Sequence, residues 1–413
     1  MGKGIWGNRS FVFYLIGQTI SSLGDGFYLI AFMWLALQLS GGKGLVIGGI
    51  FSIYTLNGVI FGFIAGPTAD KFNKRRILII VDIARGFAVL FLFVLVRFNM
   101  VTIIYLYIIT FVFSVFSPFF HRTEFTIIPE LAPKELLLKT NGIIAGARRL
   151  MQVISPGLGG IIISLVGIEN CFLIDAVTFF FSSFCIIFVV AQYSRQTMEA
   201  TKVKSFLANI KDGYRILVGS SFLLTLAIYA ACINFLGGPV MPLLPLLAEK
   251  YGMEASGYGL MMSALSVGLV AASFLIGFLG KILRRVPMIL VGLIISAIAI
   301  LIMGIGFVPI VILIALFFLG AGLSLSNLPI TTLFQEKVSS DKIGVVSSFV
   351  FTIAQMALPI SIAISGFLVD FFSISIIFIG VGIMLLIGAV IGFALPQFKT
   401  PSIGPTSLFG ADV

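Results

Sequence analysis

Apolar runs of about 20 residues, each long enough to cross a bilayer, recur along nearly the whole chain and alternate with short polar stretches. They fall at 11–39, 45–67, 77–96, 101–120, 149–167, 170–191, 221–247, 256–280, 286–307, 309–330, 343–369 and 373–395. The longest polar interval, Gln192–Ser220, divides six runs from six. The pattern predicts an all-α membrane protein with twelve transmembrane helices in two pseudo-symmetric six-helix bundles, residues 1–191 and 221–395. Between them, 192–220 is a cytoplasmic linker. It carries Phe206, Leu207, Ile210, Tyr214 and Leu217 at helical spacing, with Lys204, Lys211 and Arg215 between. That segment reads either as an amphipathic helix lying on the inner leaflet or as a plain linker helix. The tail 396–413 holds Pro, Gly and Ser and is expected to be disordered and cytoplasmic.

Composition sharpens the picture. Of 413 residues, 59% are apolar and only 10% charged, and mean hydropathy is +1.18, which no soluble domain approaches. The net charge of +10 is not a nucleic-acid signal, because the cations follow topology. A connection as short and basic as 70–76 does not pass through lipid, so it marks a cytoplasmic face. Alternation from there puts both termini inside. Only Lys43, Arg97 and Lys250 fall outside, and Arg85 lies within a span. The first apolar segment is too long and too polar for a signal-peptide core. Cys171, Cys185 and Cys232 are isolated, with no metal, redox or disulfide spacing. His121 is the sole histidine. Without a Ser-His-Asp set, a metal cluster or a phosphate-cradling loop, an enzyme and an ATP-driven pump are excluded. No filter-like repeat speaks for a channel. No cofactor or metal is expected.

The stretch Gly66–Arg76 packs four cations and one carboxylate between spans two and three. Its spacing, Gly-x-x-x-Asp-Lys-x-x-Lys-Arg, resembles the loop signature of the major facilitator superfamily of secondary transporters. Gly66, Asp70, Lys71, Lys74 and Arg75 stand in register. Asn73 replaces the family's usual glycine, and Asn tolerates a left-handed turn. A degraded echo, Gly277…Arg285, has Lys281 where the acid would be, and Glu130…Glu135 is echoed by Glu336…Asp341. Parallel echoes fit a transporter built from repeats. In span five, Ser155-Pro156-x-x-Gly159-Gly160 resembles the Gly-Pro-x-x-Gly-Gly motif of exporters in that superfamily, with Ser155 for the first glycine. Pro156 removes a backbone donor and bends the helix, while small residues admit a close neighbour. Ser117–Glu124, Ile128–Leu131 and Asn141-Gly142, with Ser22–Asp25 and Ile174–Ala176, are similar to the macrolide-efflux and enterobactin-exporter branch. The second-half match, Gln335–Val338 and Ile343-Gly344, is weaker.

Asp25 lies near the middle of span one, where an acid costs about 2.5–3.5 kcal/mol on insertion scales. Such a group is expected to face a water-filled cavity. Gln18, Ser21 and Ser22 share its stripe. Burial favours the neutral carboxyl, so Asp25 is suited to load and release a proton, to hold a substrate cation, or both in turn. The alternative is a structural acid bonded to a neighbouring helix. Asp82 and Arg85 share one helical face and are expected to pair with each other or with the signature loop, in a structural or gating role. Asp175 reads as a packing acid. Arg122 and Glu124 cap span four and are placed to latch an inward gate with Asp70 or Arg75, as the resemblance implies.

Tyr54, Asn57, Ser114, Gln152, Asn234, Asn327 and Gln355 lie on helices that, by the resemblance, face the cavity. Each also has the reading of an interhelical hydrogen bonder. With Phe113, Met151 and Met261 nearby, the lining would be mostly apolar, which suits amphiphilic substrates. The break Gly237-Gly238-Pro239 reads as a gate hinge or a helix end. The whole resemblance implies an exporter of lipophilic or amphiphilic small molecules, driven by proton antiport. Its expected partners are a small-molecule substrate, protons and the lipid bilayer, with the chain acting as a monomer. Alternatives are a dedicated exporter of a siderophore or peptide antibiotic, a lysophospholipid flippase, or a non-transporting membrane sensor.

Overall fold

In a computed structural model of the chain, residues 5–132, 134–190, 219, 221–279, 285–306, 308–337 and 343–395 are described. The α-helices among them are α1 (Arg9–Ser40), α2 (Gly44–Lys71), α3 (Lys74–Arg97), α4 (Ile103–Ile127), α5 (Leu137–Val166) and α6 (Ile168–Ile187) in the first half. The second half has α7 (Ser221–Gly237), α8 (Val240–Lys250), α9 (Ala255–Leu279), α10 (Arg285–Ile305), α11 (Pro309–Lys337), α12 (Ile343–Val369) and α13 (Ile374–Ala394). Twelve stretches are long and apolar enough to cross a membrane, with α7 and α8 together making one, Leu224–Lys250. No strand occurs among the described residues. The linker 192–218, the Lys281 echo, Val338–Asp341 and the tail 396–413 lie outside them, as do the surroundings of Gly66 and the side chains of Asp70, Lys71 and Glu336.

Local chemistry sets the helix ends. The Asn8 side chain accepts from the Ser10 N–H at 3.0 Å and starts α1, which stops at Gly41 in a left-handed conformation (φ 61°). That conformation is open to glycine without a side-chain penalty. Between α2 and α3 the structure corrects the sequence reading. The signature is not a turn of seven residues, since α2 runs on through Lys71 and only Phe72 and Asn73 connect the helices. Asn73 is extended (φ −66°, ψ 113°) rather than left-handed, and its side chain accepts from the Arg76 N–H at 3.2 Å. It is there as a helix cap, a role in which Asn is favoured and glycine has no side chain to offer.

Spans four and five were placed too short. The α4 helix continues to Ile127, so His121, Arg122 and Glu124 are helical, and α5 starts at Leu137 and contains Arg148 and Arg149. The hydropathy of a window ends where charge begins. The backbone ladder does not, because apolar residues beyond that point still have a core to join. Phe120, Ile127 and Ile144 pack there with Phe11, Tyr14, Leu78, Val81 and Ile186.

The helix pairings repeat. In the first half span three packs on spans four and six, and six packs on one. In the second half span nine (α10) packs on ten (α11) and twelve (α13), and twelve packs on seven (α7). The chain divides into two compact units. The first comprises Met1–Arg195, Pro242–Ala264 and Gly366–Asp370; the second comprises Gln196–Met241, Leu265–Ser365 and Phe371–Val413.

Candidate functional site

In unit 1 the polar stripe of α1 is the organising element. Tyr14, Gln18 and Ser21 on it are buried, whereas Asp25 is exposed between the buried Gly24 and Gly26. Asp25 lies within Coulombic reach of Arg85 on α3, His121 on α4 and Arg148 on α5. Ser22, one turn before it, is half-buried.

Below Asp25 the stripe feeds two buried networks. In one, Gln18 Nε2 donates to Ser182 Oγ at 3.0 Å, and that hydroxyl donates to Asp82 Oδ2 at 2.7 Å. In the other, the Tyr14 hydroxyl donates to Glu124 Oε1 at 2.8 Å, the same oxygen accepts from Arg148 Nη2, and His121 Nδ1 lies 3.7 Å from Oε2. Glu124 is thus a buried junction of α1, α4 and α5. The latch expected with Asp70 or Arg75 is not formed by Arg75, which donates to the Ile187 carbonyl at the end of α6. Arg122 is exposed. Lys74 donates to the Thr126 carbonyl at 3.1 Å and pairs with Glu130.

Asp82 and Arg85 are both buried, but the expected ion pair is absent, since no pairing between them occurs among the described residues. The Arg85 guanidinium instead sits over aromatic rings, 5.1 Å from the Phe120 centroid and 5.9 Å from those of Phe113 and Phe179. The phenylalanines of α4 and α6 take the face that a carboxylate would otherwise hold. Asp175 on α6 is fully buried against α1. A Cβ at Gly24 would collide with Asp175 Oδ1 and Thr178 Oγ1, so only glycine admits that carboxylate. Asp82 Oδ1, Asp175 Oδ2 and Arg85 Nε have no hydrogen-bond partner among the described residues.

The polar residues expected to share one cavity fall into two. Tyr54 and Ser114 line a pocket of about 270 Å³ in unit 1 with Gly58, Gly62, Ser117 and His121. Asn57 is buried behind it and donates to Ser114 Oγ at 3.0 Å. Asn234 and Asn327 line a second pocket, of about 320 Å³, in unit 2. Gln152 is exposed and accepts from Arg149 Nη1 at 3.1 Å, and Gln355 is exposed. Met261 is wholly buried in the core and Phe113 stacks on Tyr28 at 4.8 Å. Sequence spacing assigns a residue to a helix face but not to the pocket that face meets.

Pro156 lies inside α5. There the Ser263 hydroxyl of α9 accepts from the Gly157 N–H at 3.0 Å and donates to the Val153 carbonyl at 2.7 Å. Nearby, a Cβ on Gly160 would stand 2.6 Å from Ser256 Cα, so the glycine is what lets the α9 backbone approach. Gly159 lies as closely on Phe27. A second tie in unit 1 joins α12 to α2, where the Asp370 carboxylate accepts from the Gly44 and Leu45 N–H groups at 2.6 and 3.2 Å. Ser263, Asp370, Tyr14 and Ser182 were not anticipated. Tyr14 was legible, since it continues the Gln18–Asp25 stripe, but nothing marks Ser263 among the serines of an apolar helix.

A family model described as a transmembrane secretion effector matches residues 7–409. Macrolide efflux protein A of Streptococcus pyogenes is 21% identical over 394 residues, covering 94% of this chain and 96% of that one. The multidrug efflux pump Tap of Mycolicibacterium fortuitum is 24% identical over 399 residues, covering 93% and 95%. A crystal structure of a bacterial homologue of the iron transporter ferroportin, in an inward-facing state, matches with a TM-score of 0.73. It is 16% identical and covers 94% of this chain and 97% of that one, a likeness of fold alone. With its twelve candidate spans, the chain is a multi-pass membrane protein.

Proposed function

Because the chain belongs to the transmembrane secretion effector family of major facilitator superfamily transporters, we propose that it exports lipophilic or amphiphilic small molecules by proton antiport and alternating access. The family and fold are those of transporters, not of enzymes. The observation that carries the reading is Asp25, an exposed carboxylate near the middle of α1 between the buried Gly24 and Gly26. It stands within the field of Arg85, His121 and Arg148. An acid at that depth is costly unless it has work to do, and taking up and releasing the coupling proton is the work we assign to it. The efflux relatives support export as the direction. The cation distribution supports a bacterial plasma membrane with both termini cytoplasmic.

Inside-out membrane vesicles test the proposal. A lipophilic dye added to energised vesicles should accumulate, should dissipate the proton gradient as it does so, and should stop accumulating when a protonophore is added. Asp25→Asn should abolish both signals at unchanged protein level. Accumulation that survives the protonophore, or that Asp25→Asn leaves intact, would refute proton antiport through this residue.

A further inference from the structure

Two glycines of α2 serve no helix contact. Gly58 and Gly62 line the cleft of about 270 Å³ between α2 and α4 in unit 1. A Cβ built on either would meet nothing within 4 Å. Elsewhere in the unit a glycine admits a neighbour, as Gly24 does for Asp175 and Gly160 for Ser256. Glycine inside a helix is costlier than alanine, and here it keeps a space empty.

The α4 wall of that space is cationic. His121 and Arg122 line it, and no carboxylate does. Arg122 is exposed and forms no ion pair among the described residues. His121 turns Nδ1 toward Glu124 Oε2 at 3.7 Å, which leaves Nε2. Glu124 is already answered by Arg148 and the Tyr14 hydroxyl. Ser114 gives its proton to the Phe111 carbonyl at 2.8 Å and accepts from Asn57 at 3.0 Å, so it offers the cleft no donor. The Tyr54 and Ser117 hydroxyls lie 3.4 Å apart. Their contact uses one of two protons, so one O–H remains to donate.

We propose that this cleft binds one anionic group, a carboxylate or a phosphate, carried by an amphiphile whose body lies outside it. The planar Arg122 fork takes two of the anion's oxygens, and the bare glycine wall lets them come close. The volume falls below the about 300–1,000 Å³ of pockets that enclose a whole ligand, and it suits a head group. A cationic head group is repelled by Arg122. Two carriers have this chemistry, an acidic lipid of the bilayer and an acidic solute. That the carrier is transported rests on the export reading; that its anion binds does not.

The test is photolabelling of the full chain in phosphatidylcholine nanodiscs. The probe is dodecanoate with a mid-chain diazirine, and the control is the matching primary alcohol. Adducts of the carboxylate, mapped by mass spectrometry, should concentrate on α2 and α4 around the cleft. The alcohol should label there about tenfold less or weaker still, the loss expected of one charge-assisted hydrogen bond. Arg122→Gln should lower carboxylate labelling by a like factor and leave the alcohol unchanged. Gly58→Leu places a side chain in the cleft where its Cβ meets nothing, so the protein should fold and the adducts should vanish. Phosphatidylglycerol added to the nanodiscs separates the carriers: competition with the label assigns the site to bilayer lipid, and indifference assigns it to acidic solutes. Equal labelling by the alcohol, carboxylate adducts that survive Gly58→Leu, or adducts not concentrated on α2 and α4 would each overturn the proposal. Labelling needs no proton gradient, so its failure spares the antiport, and efflux that survives Asp25→Asn spares the cleft.

Discussion

Ser263→Ala removes one hydroxyl and two hydrogen bonds, and its effect depends on a proline in another helix. The hydroxyl bridges the Gly157 N–H and the Val153 carbonyl, a pair that an unbroken α5 would join directly. Pro156 sits one residue before Gly157. It lacks a donor for the carbonyl four residues back, and its ring crowds that carbonyl, which opens the turn. Side-chain hydrogen bonds within membranes average about 0.6 kcal/mol and reach about 1.7. Two of them make Ser263→Ala cost about 1–3 kcal/mol, a roughly five- to 150-fold change in the equilibrium. In a Pro156→Ala background the ladder closes and the hydroxyl has no gap to fill, so the cost should fall below about 0.5 kcal/mol. The assay is a double-mutant cycle on unfolding in SDS mixed micelles, with all four proteins in one lipid composition. Equal cost of Ser263→Ala in both backgrounds would refute the account, since the serine would then be stabilising something other than the proline break.

Asp370→Ala should cost about 1–2 kcal/mol, because it strips a charged cap from two backbone donors of α2, whose own Lys43 supplies no side-chain cap; faster hydrogen exchange at Gly44 and Leu45 is the readout. Gly24→Ala should destabilise by about 1–3 kcal/mol, since the new methyl meets Asp175 and Thr178. Thermal denaturation checks it, and Thr178→Ala in the same chain should recover part of the loss. Tyr14→Phe should cost about 1 kcal/mol and spare efflux, because Glu124 keeps Arg148; the same vesicle assay decides.

The fold was readable because a bilayer imposes one length on every span, and hydropathy reports that length directly. Helix ends were read less well. A window stops at Phe120 or Arg149, whereas the helices run past both, carried by Ile127 and Ile144 into a core that linear hydropathy does not see. Asn73 was placed in the right turn for the wrong reason, since its amide caps a helix where a glycine-like backbone was expected. The α1 stripe was visible as a period, and with it Asp25 and Gln18. What the stripe touches was not. Ser182 and Asp82 answer Gln18 from helices far along the chain, and no spacing within α1 encodes that. The same limit explains the single cavity expected where two pockets occur. Asn234 and Asn327 meet in unit 2, Tyr54 and Ser114 in unit 1.

Arg85 poses the sharpest test of how unit 1 holds charge away from water. Its guanidinium lies within Coulombic reach of the buried Asp82 and Asp175 and of the exposed Asp25, yet its near neighbours are three phenylalanine rings and its Nε has no partner among the described residues. A cation held by ring faces keeps its charge available to several carboxylates, where a bidentate pair with Asp82 would commit it to one. Arg85→Met should then leave the buried Asp82 and Asp175 without that cation and cost about 3–5 kcal/mol, the penalty for removing one partner from a buried set of charges. Asp82→Asn alone keeps a Ser182 partner and should cost less. If the charges balance as a set, Arg85→Met with Asp82→Asn should be more stable than Arg85→Met, because one stranded carboxylate has gone with the cation. Arg85→Lys should fall between, retaining charge but losing the flat face that the rings grip. Unfolding midpoints of the four variants, in the same mixed micelles, give the order. If the double variant loses the sum of the two single losses, Arg85 is packed for its shape rather than its charge, and the three acids are compensated from elsewhere.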